Sequence, residues 1–299
     1  MDDQDQLAAR FEAHRGHLRG VAYRMLGSRA EADDAVQEAW LRLARADVTG
    51  VEILGGWLTT VVARICLDLL RSRRARREEA PGGVADADTS GPGPGHDGPG
   101  HDGGPPEDEV VLADEVGLAL LVVLDALGPA ERVAFVLHDL FAVPFEQIAP
   151  IVERTPVATK KLASRARRRV RGTAVVPAPD LARHRRVVDA FLAAARGGDL
   201  VALLAVLDPD VVRRAHGVPG AVAVLQGARA VAEETAGNAA RAVFARPVLV
   251  DGRVGAVIAP AGRLRLALVP TVEGDRITAV DAIADPEALA RLTFALLPD

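Results

Sequence analysis

Aromatic residues and cysteine are scarce in this chain. Of its 299 residues only 3% are Phe, Trp or Tyr, and the single cysteine is Cys66. Because aromatic residues are so few, the cores must be aliphatic. One thiol can neither close an internal disulfide nor form a Cys-rich metal site. The acidic N-terminus predicts no secretory signal, and the apolar run 116–127 is too short to span a bilayer. The sequence therefore predicts a soluble cytoplasmic protein.

The chain also has no excess of positive charge. The net charge of −5 excludes a uniformly basic nucleic-acid-binding surface, but the charges are segregated along the chain. Arginines cluster at 64–77, basic residues cluster again at 160–171, and acids cluster at 31–38. Local basic stripes on an acidic chain predict a few defined contacts with anions.

Composition divides the chain. Residues 80–106 are mostly Gly, Pro, Asp and His without apolar periodicity, which predicts a flexible tether. His96 and His101 lie in repeated His-Asp-Gly triplets, but a Gly-rich tract gives a metal no rigid ligand geometry, so neither a metal nor another cofactor is predicted. Pro177 and Pro179 mark a second boundary. We define a first unit (1–78), a second unit (107–172) and a third unit (181–299), joined by linkers at 79–106 and 173–180.

Two helices are predicted in the first unit. Ser28 and Glu31 predict a capping box, followed by apolar residues at helical spacing. Asp33, Asp34 and Glu38 fall off that apolar stripe and face either solvent or a partner. The buried stripe of the next helix, predicted at 56–77, contains Leu58, Val61, Val62, Ile65 and Leu69.

Arginine is concentrated at the C-terminal half of this second helix. Cations there suit the helix dipole, which explains some of them structurally. The five arginines between 71 and 77 exceed what capping requires. Arginine at this density usually contacts phosphate.

The second unit has the pattern of a helix-turn-helix. A segment at 145–152 and a turn at 153–155 precede a basic helix, with Thr155 suited to the N-cap and Pro156 to the first turn. The predicted packing stripe of the basic helix is Ala158, Leu162, Ala166 and Val170.

Basic side chains cover the remaining surface of that helix, which predicts entry into a major groove. A basic surface helix on a small bundle is the alternative. Two residues fit the pattern imperfectly: Pro150 lies inside or at the end of the first helix, and Glu153 lies in a turn where Gly is common.

The third unit begins with helices and continues with strands. Helices are predicted at 184–196, 200–207 and 228–237, before a turn-rich region in which Leu264, Leu266 and Leu268 alternate with other residues. Asp251-Gly252 and 273–275 are predicted hairpin turns. The pattern indicates an α+β unit with a curved antiparallel sheet.

Long, collinear motifs resemble the extracytoplasmic-function sigma factors of the sigma-70 family, group IV. In the first unit they are Phe11–Arg15, Ala22–Ser28, Asp33–Leu41, Gly56–Arg64 and Leu67–Ser72, and in the second Pro129–Val133 and Leu162–Arg167. The resemblance implies two all-α domains, sigma region 2 and a region 4 helix-turn-helix. It also implies binding to core RNA polymerase and to promoter DNA.

The resemblance also implies roles for particular residues. Contacts with the polymerase β′ clamp would come from Asp33, Asp34, Glu38 and Trp40. The minus-ten element would meet Trp57, Arg64, Arg71, Arg73 and Arg74, although Trp57 suits a core position equally well. The minus-thirty-five element would meet Thr155, Lys160, Lys161, Arg165, Arg167, Arg168 and Arg171.

The opening of the third unit, Phe191–Leu200, is similar to that of SnoaL-like domains, which are cone-shaped α+β folds with a pocket. A subgroup of these sigma factors carries such a domain. The resemblance implies that the third unit modulates polymerase binding and raises an intramolecular contact with the sigma domains as a further expectation. Here the Gly/Pro tract stands in place of the subgroup's Trp-Leu-Pro motif. The segments His216–Gly220 and Asp285–Leu289 replace its Asp-Gly-Gly-Gly and Asn-Pro-Asp-Lys-Leu motifs.

Two other functions are open to a chain with these features. One is a ligand-sensing helix-turn-helix repressor, which would have no use for Asp34 and Glu38 on a docking helix. The other is a SnoaL-like cyclase or isomerase fused to a DNA-binding module, with His216 and Asp281 as the candidate proton-transfer pair. Fold analogy alone carries little weight for catalysis, so no enzyme is predicted.

Overall fold

The computed structural model describes residues 3–46, 53–79 and 117–298. The predicted tether from 80 to 106, with His96 and His101, lies outside the described residues. None of the described helices is long and apolar enough to cross a membrane.

The described part of the first unit is a bundle of three helices, α1 (Asp3–Leu26), α2 (Arg29–Leu43) and α3 (Leu54–Glu79). Helix α3 is longer than the predicted 56–77 at both ends. Of the predicted stripe of α3, Leu58, Val62 and Ile65 are buried and Val61 and Leu69 are half-buried.

The predicted capping box of α2 forms only in part. Ser28 Oγ accepts a hydrogen bond from the Glu31 amide at 3.4 Å, as predicted. The Glu31 carboxylate pairs with Arg73 of α3. A long-range ion pair with an arginine has replaced the local hydrogen bond that the sequence pattern predicts.

The second unit contains α4 (described over 117–125), α5 (Pro129–Phe135), α6 (Phe145–Ile148) and α7 (Pro156–Arg171). Helix α5 continues into a π-helical turn, Val136–Leu140. Thr155 caps α7 as predicted, since its hydroxyl accepts a hydrogen bond from the Ala158 amide at 3.2 Å. Helix α6 is shorter than the predicted 145–152 and ends before Pro150.

The first two units share one hydrophobic core. Arg132 of α5, 3% exposed, donates to the carbonyl oxygen of Arg24 at 3.5 Å and pairs with Asp125 at 3.2 Å. The Phe141 ring lies beside the guanidinium of Arg24 and edge-on to the ring of His17. The second unit therefore packs directly on α1, through α5 and the π-helical turn that follows it.

Up to residue 298 the third unit has five α-helices, which are α8 (Ala178–Gly197), α9 (Leu200–Val206), α10 (Ala228–Gly237), α11 (Ala239–Ala242) and α12 (Pro286–Arg291). Its strands are β1 (Leu207–His216), β2 (Val224–Gln226), β3 (Ala245–Val250), β4 (Arg253–Ile258), β5 (Leu266–Glu273), β6 (Arg276–Ile283) and β7 (Phe294–Ala295). The sheet order is β2-β1-β6-β5-β4-β3-β7. The predicted fold class, two helical units followed by an α+β unit, is confirmed.

Four local predictions for the third unit were wrong. The sheet is mixed because β1 and β6 run parallel. Strand β1 begins at Leu207, the last residue of the predicted helix 200–207, and its register with β6 shifts between Leu207 and Val212. Leu264 precedes β5, and α8 begins at Ala178, before the predicted helix start at 184.

Alternation along the central strands gives the sheet two apolar faces. On β3, Ala245 and Leu249 pack with α8 and α10, whereas Val248 and Val250 pack with the core of the helical units. The amide of Leu296, just after β7, donates to the Val170 carbonyl oxygen of α7 at 2.8 Å. The third unit is thus docked on the end of the basic helix.

Candidate nucleic-acid interface

Helix α7 presents one apolar line and one cationic face. The buried residues are Thr159, Ala163, Ala166 and Val170, whereas Ala158 and Leu162 of the predicted stripe are only half-buried. Residues repeated every four positions drift around a helix that has 3.6 residues per turn. The buried residues are therefore spaced by four, three and four positions. The exposed cationic residues are Lys160, Lys161, Arg165, Arg168, Arg169 and Arg171.

Acidic residues hold some of these cations. Glu131 of α5 pairs with Arg169 at 2.6 Å and with Arg165 at 3.5 Å. Asp139 pairs with Arg167. These arginines would have to exchange a carboxylate for a phosphate, which lowers the net gain from a DNA contact.

Four predicted DNA-contacting cations on α7 have no side-chain partner among the described residues. They are Lys160, Lys161, Arg168 and Arg171. All four are exposed, so they can meet phosphates or base edges without first breaking an ion pair.

The turn before α7 is strained at Glu153, one of the two residues that fit the helix-turn-helix pattern imperfectly. Glu153 has a φ of 56°, a left-handed conformation that favours glycine. Its carboxylate lies 3.5 Å from the Arg71 guanidinium of α3. The ion pair thus links the helix-turn-helix to the basic end of the first unit.

The arginines of α3 separate into different roles. Arg64 is exposed, and Arg71 pairs with Asp68 at 3.9 Å as well as with Glu153. Arg73 donates to the Leu26 carbonyl oxygen at 3.0 Å and pairs with Glu31, which ties α3 to both other helices of the bundle. Its bonding in this structure is that of a bundle bridge rather than of a free DNA ligand.

The two basic clusters meet at a cleft of about 620 Å³ between the first two units. Arg73 and Arg74 of α3 and Arg169 of α7 line it, together with the acids Asp125 and Glu131. Sequence reasoning treated the clusters as separate. Their proximity follows from the packing of α5 against α3, for which the sequence carries no local signal.

Replacing Arg73 with alanine should destabilise the first unit by about 2–3 kcal/mol, because hydrogen bonds to charged groups contribute about 1.5–3 kcal/mol. Cys66 is a built-in reporter. It is buried, and burial raises the pKa of its thiol to about 12, so it should react with alkylating agents only when the bundle opens.

The measurement is the rate of Cys66 alkylation under native conditions. Arg73→Ala should raise that rate at least tenfold, whereas Arg64→Ala, the removal of an exposed arginine on the same helix, should leave it unchanged. Equal rates for the two variants would contradict the bridging role.

The acidic residues of α2 differ in whether an ion pair already engages their carboxylates. Arg19 pairs with Asp33 at 2.6 Å, and Arg42 pairs with Glu38 at 2.9 Å. Asp34 is exposed and has no ion pair within the described ranges.

Both tryptophans predicted to contact partners are half-buried. Trp40 packs on Phe11, with ring centroids 5.1 Å apart, and Trp57 packs against the shared core. Each has at least a structural role in the bundle.

The candidate proton-transfer pair of the third unit lies outside its cavity. His216 Nε2 is 3.3 Å from Asp281 Oδ1. Their sequence neighbours, Ala215, Val280 and Ala282, line a cavity of about 400 Å³. Because side chains alternate along strands, His216 and Asp281 project from the opposite face of the sheet.

The two segments that replace the subgroup's motifs are in contact. The His216 carbonyl oxygen accepts hydrogen bonds from the amides of Ala284 and Asp285, at 2.8 and 3.0 Å. Gly217 lies against the Asp285 backbone, and Asp285 caps α12. No group of three potential metal-ligating side chains occurs in the part of the chain that the structure describes.

Comparison with known proteins matches both helical units. Residues 10–76 match the family model for sigma-70 region 2, and residues 117–170 match that for sigma-70 region 4. The probable ECF RNA polymerase sigma factor SigI of Mycobacterium tuberculosis is 37% identical, covering 99% of each chain. SigJ of the same organism, also an ECF RNA polymerase sigma factor, is 38% identical over 93% of this chain and 91% of its own.

The crystal structure of M. tuberculosis SigJ is 34% identical and covers 95% of this chain and 98% of its own, with a TM-score of 0.46. The whole-chain sequence matches favour a sigma factor that directs promoter-specific transcription over a ligand-sensing repressor. This chain belongs to the extracytoplasmic-function sigma factors of RNA polymerase.

Proposed function

We propose that this sigma factor binds core RNA polymerase through α2 and contacts promoter DNA through α3 and α7. Residues 1–78 would act as region 2, 107–172 as region 4 and 181–299 as a regulatory SnoaL-like domain, with linkers at 79–106 and 173–180. The observation that carries the proposal is the set of four cations on the exposed face of α7 that have no side-chain partner in the described parts of the chain.

The polymerase contact is assigned to the acidic face of α2. Asp34 is the residue best suited to a basic partner, because it is exposed and has no ion pair with another described residue to break. Glu38 has only an exposed i,i+4 pair with Arg42, and such pairs contribute a few tenths of a kcal/mol. We assign the partner surface to the β′ clamp of the polymerase, with Asp33 and Trp40 at the edge of the contact.

At the promoter, Arg64 and the exposed end of α3 would contact the minus-ten element, and Arg71 would join them after releasing Glu153. The four free cations of α7 would contact the minus-thirty-five element, and the arginines held by Glu131 and Asp139 would add weaker contacts. Binding through phosphate contacts should be salt-sensitive and weak in the absence of polymerase.

The third unit would modulate these activities as an in-chain regulator. The contact of Leu296 with Val170, at the end of α7, supports this because it joins the regulator to the proposed DNA-reading helix. We further propose that the chain is a cytoplasmic protein without catalytic activity or cofactor. The separation of His216 and Asp281 from the cavity supports that proposal.

The polymerase assignment is tested by reversing charge on α2. Asp34→Lys/Glu38→Lys should lower retention of core RNA polymerase in a pull-down at least tenfold, because each substitution replaces attraction by like-charge repulsion. Glu273→Lys/Asp275→Lys, which reverses two exposed acids at the turn between β5 and β6, makes the same change in net charge and should retain polymerase like the wild type. Undiminished retention by the α2 variant would remove α2 from the interface.

A further inference from the structure

The third unit encloses a cavity that the proposed sigma function does not use. Its volume is about 400 Å³, and its walls come from α8, α10, α11, the loop after β1 and the inner face of the sheet. Most of its lining is apolar, including Phe191, Leu192, Ile258, Leu266 and Leu268. A mostly apolar cavity with a few polar groups is the usual form of a small-molecule site.

The polar lining of the cavity is nearly balanced in charge. Arg213, 5% exposed, donates from Nε to Glu234 at 2.8 Å, forms a second bond to the same carboxylate, and donates from Nη1 to the Val222 carbonyl oxygen. The hydroxyl of Thr235 and the amide nitrogen of Asn238 donate to backbone carbonyl oxygens of α10. These groups maintain the wall and leave little donor capacity for a ligand.

One cation remains. Arg241, on α11, lines the cavity and is exposed, and no carboxylate or other acceptor pairs with it among the residues described. Glu234 is the acid of the cavity lining and is already bound by Arg213. The residual charge at the cavity is therefore positive and lies at its solvent-exposed side.

From this arrangement we infer that the third unit binds a small carboxylic acid with a hydrocarbon body. The body occupies the apolar interior, and the carboxylate pairs with Arg241 at the mouth. At about 30 Å³ per liquid water, the cavity has room for roughly a dozen non-hydrogen atoms, which is the size of a medium-chain acid. The inference rests on the cavity alone and does not depend on the sigma function.

Decanoate and decanol are the probes, titrated calorimetrically into the full-length chain. Wild type should bind both and should bind decanoate more tightly. Arg241→Gln should weaken decanoate binding at least tenfold without changing decanol binding. Arg253→Gln, at an exposed arginine of β4 outside the cavity lining, is the matched control and should change neither.

A second variant tests the interior. Ala215→Leu extends a half-buried side chain into the cavity and should weaken both probes equally, with the thermal unfolding midpoint checked against wild type. Absence of decanoate binding by wild type, or equal decanoate affinity of wild type and Arg241→Gln, would overturn the inference. Undiminished binding to Ala215→Leu would place the site elsewhere and overturn it too.

Discussion

Reversing charge at Lys160 and Lys161 should lower promoter-dependent transcription about a hundredfold. Both side chains are exposed on α7 and free of ion pairs in the described structure, so their full charge is available to DNA. Loss of a base or phosphate contact of this kind costs about 1–3 kcal/mol, and two contacts at about 1.4 kcal/mol each correspond to a factor of about one hundred.

The assay is run-off transcription by reconstituted holoenzyme on promoters first selected from a random DNA pool with the wild-type protein. Lys160→Glu/Lys161→Glu should also flatten the salt dependence of promoter binding, because fewer counterions are released. Arg253→Glu/Arg291→Glu makes the same change in net charge on the third unit and should transcribe normally. Polymerase retention should be unchanged for both double variants, which separates a DNA defect from a docking defect.

Arg165 and Arg169 offer an internal comparison on the same helix. Both are held by Glu131, so their substitution removes a cation that is already partly neutralised. We therefore expect Arg165→Gln/Arg169→Gln to affect transcription less than Lys160→Gln/Lys161→Gln. The reverse ranking would mean that Glu131 releases its arginines in the polymerase complex.

Local signals in the sequence predicted the ends of elements well. Thr155 and Pro156 start α7, and Asp251-Gly252 form the turn between β3 and β4 with positive φ at both residues. Each of these features depends on residues within one turn of each other, where backbone preferences decide the structure.

Non-local contacts could not be predicted from the sequence. The choice of Arg73 as the partner of Glu31, across 42 positions, depends on how α3 packs. The docking of Phe141 on α1 and the parallel pairing of β1 with β6 are likewise set by tertiary packing. For the candidate site, the sequence identified the basic faces, but it could not separate the free cations of α7 from those held by Glu131.

Replacing Gly172 with alanine should loosen the third unit from α7 about a hundredfold or more. Gly172 ends α7 with φ 57° and ψ −167°, a region that is nearly exclusive to glycine. A Cβ there would also overlap the Cβ of Ala295 in β7. Backbone strain of about 1–3 kcal/mol and overpacking of about 1–3 kcal/mol act on the same junction.

Hydrogen exchange at the Leu296 amide measures this loosening, because that amide donates to Val170 across the junction. Gly172→Ala should speed exchange in the peptide that contains Leu296, whereas the core of α8 should exchange as in wild type. Gly197→Ala, where the added methyl group meets open space, is the matched control and should leave Leu296 protected.

A double variant separates the two causes. Ala295→Gly removes the methyl group that a Cβ at Gly172 would strike, but it leaves the left-handed backbone strain in place. Gly172→Ala/Ala295→Gly should therefore recover part of the Leu296 protection. Full recovery in the double variant would assign the defect to the overlap, and no recovery would assign it to the backbone. Unchanged exchange in Gly172→Ala itself would show that the junction does not depend on Gly172. If the third unit restrains α7, transcription by these variants should rise in the same order as the exchange rate.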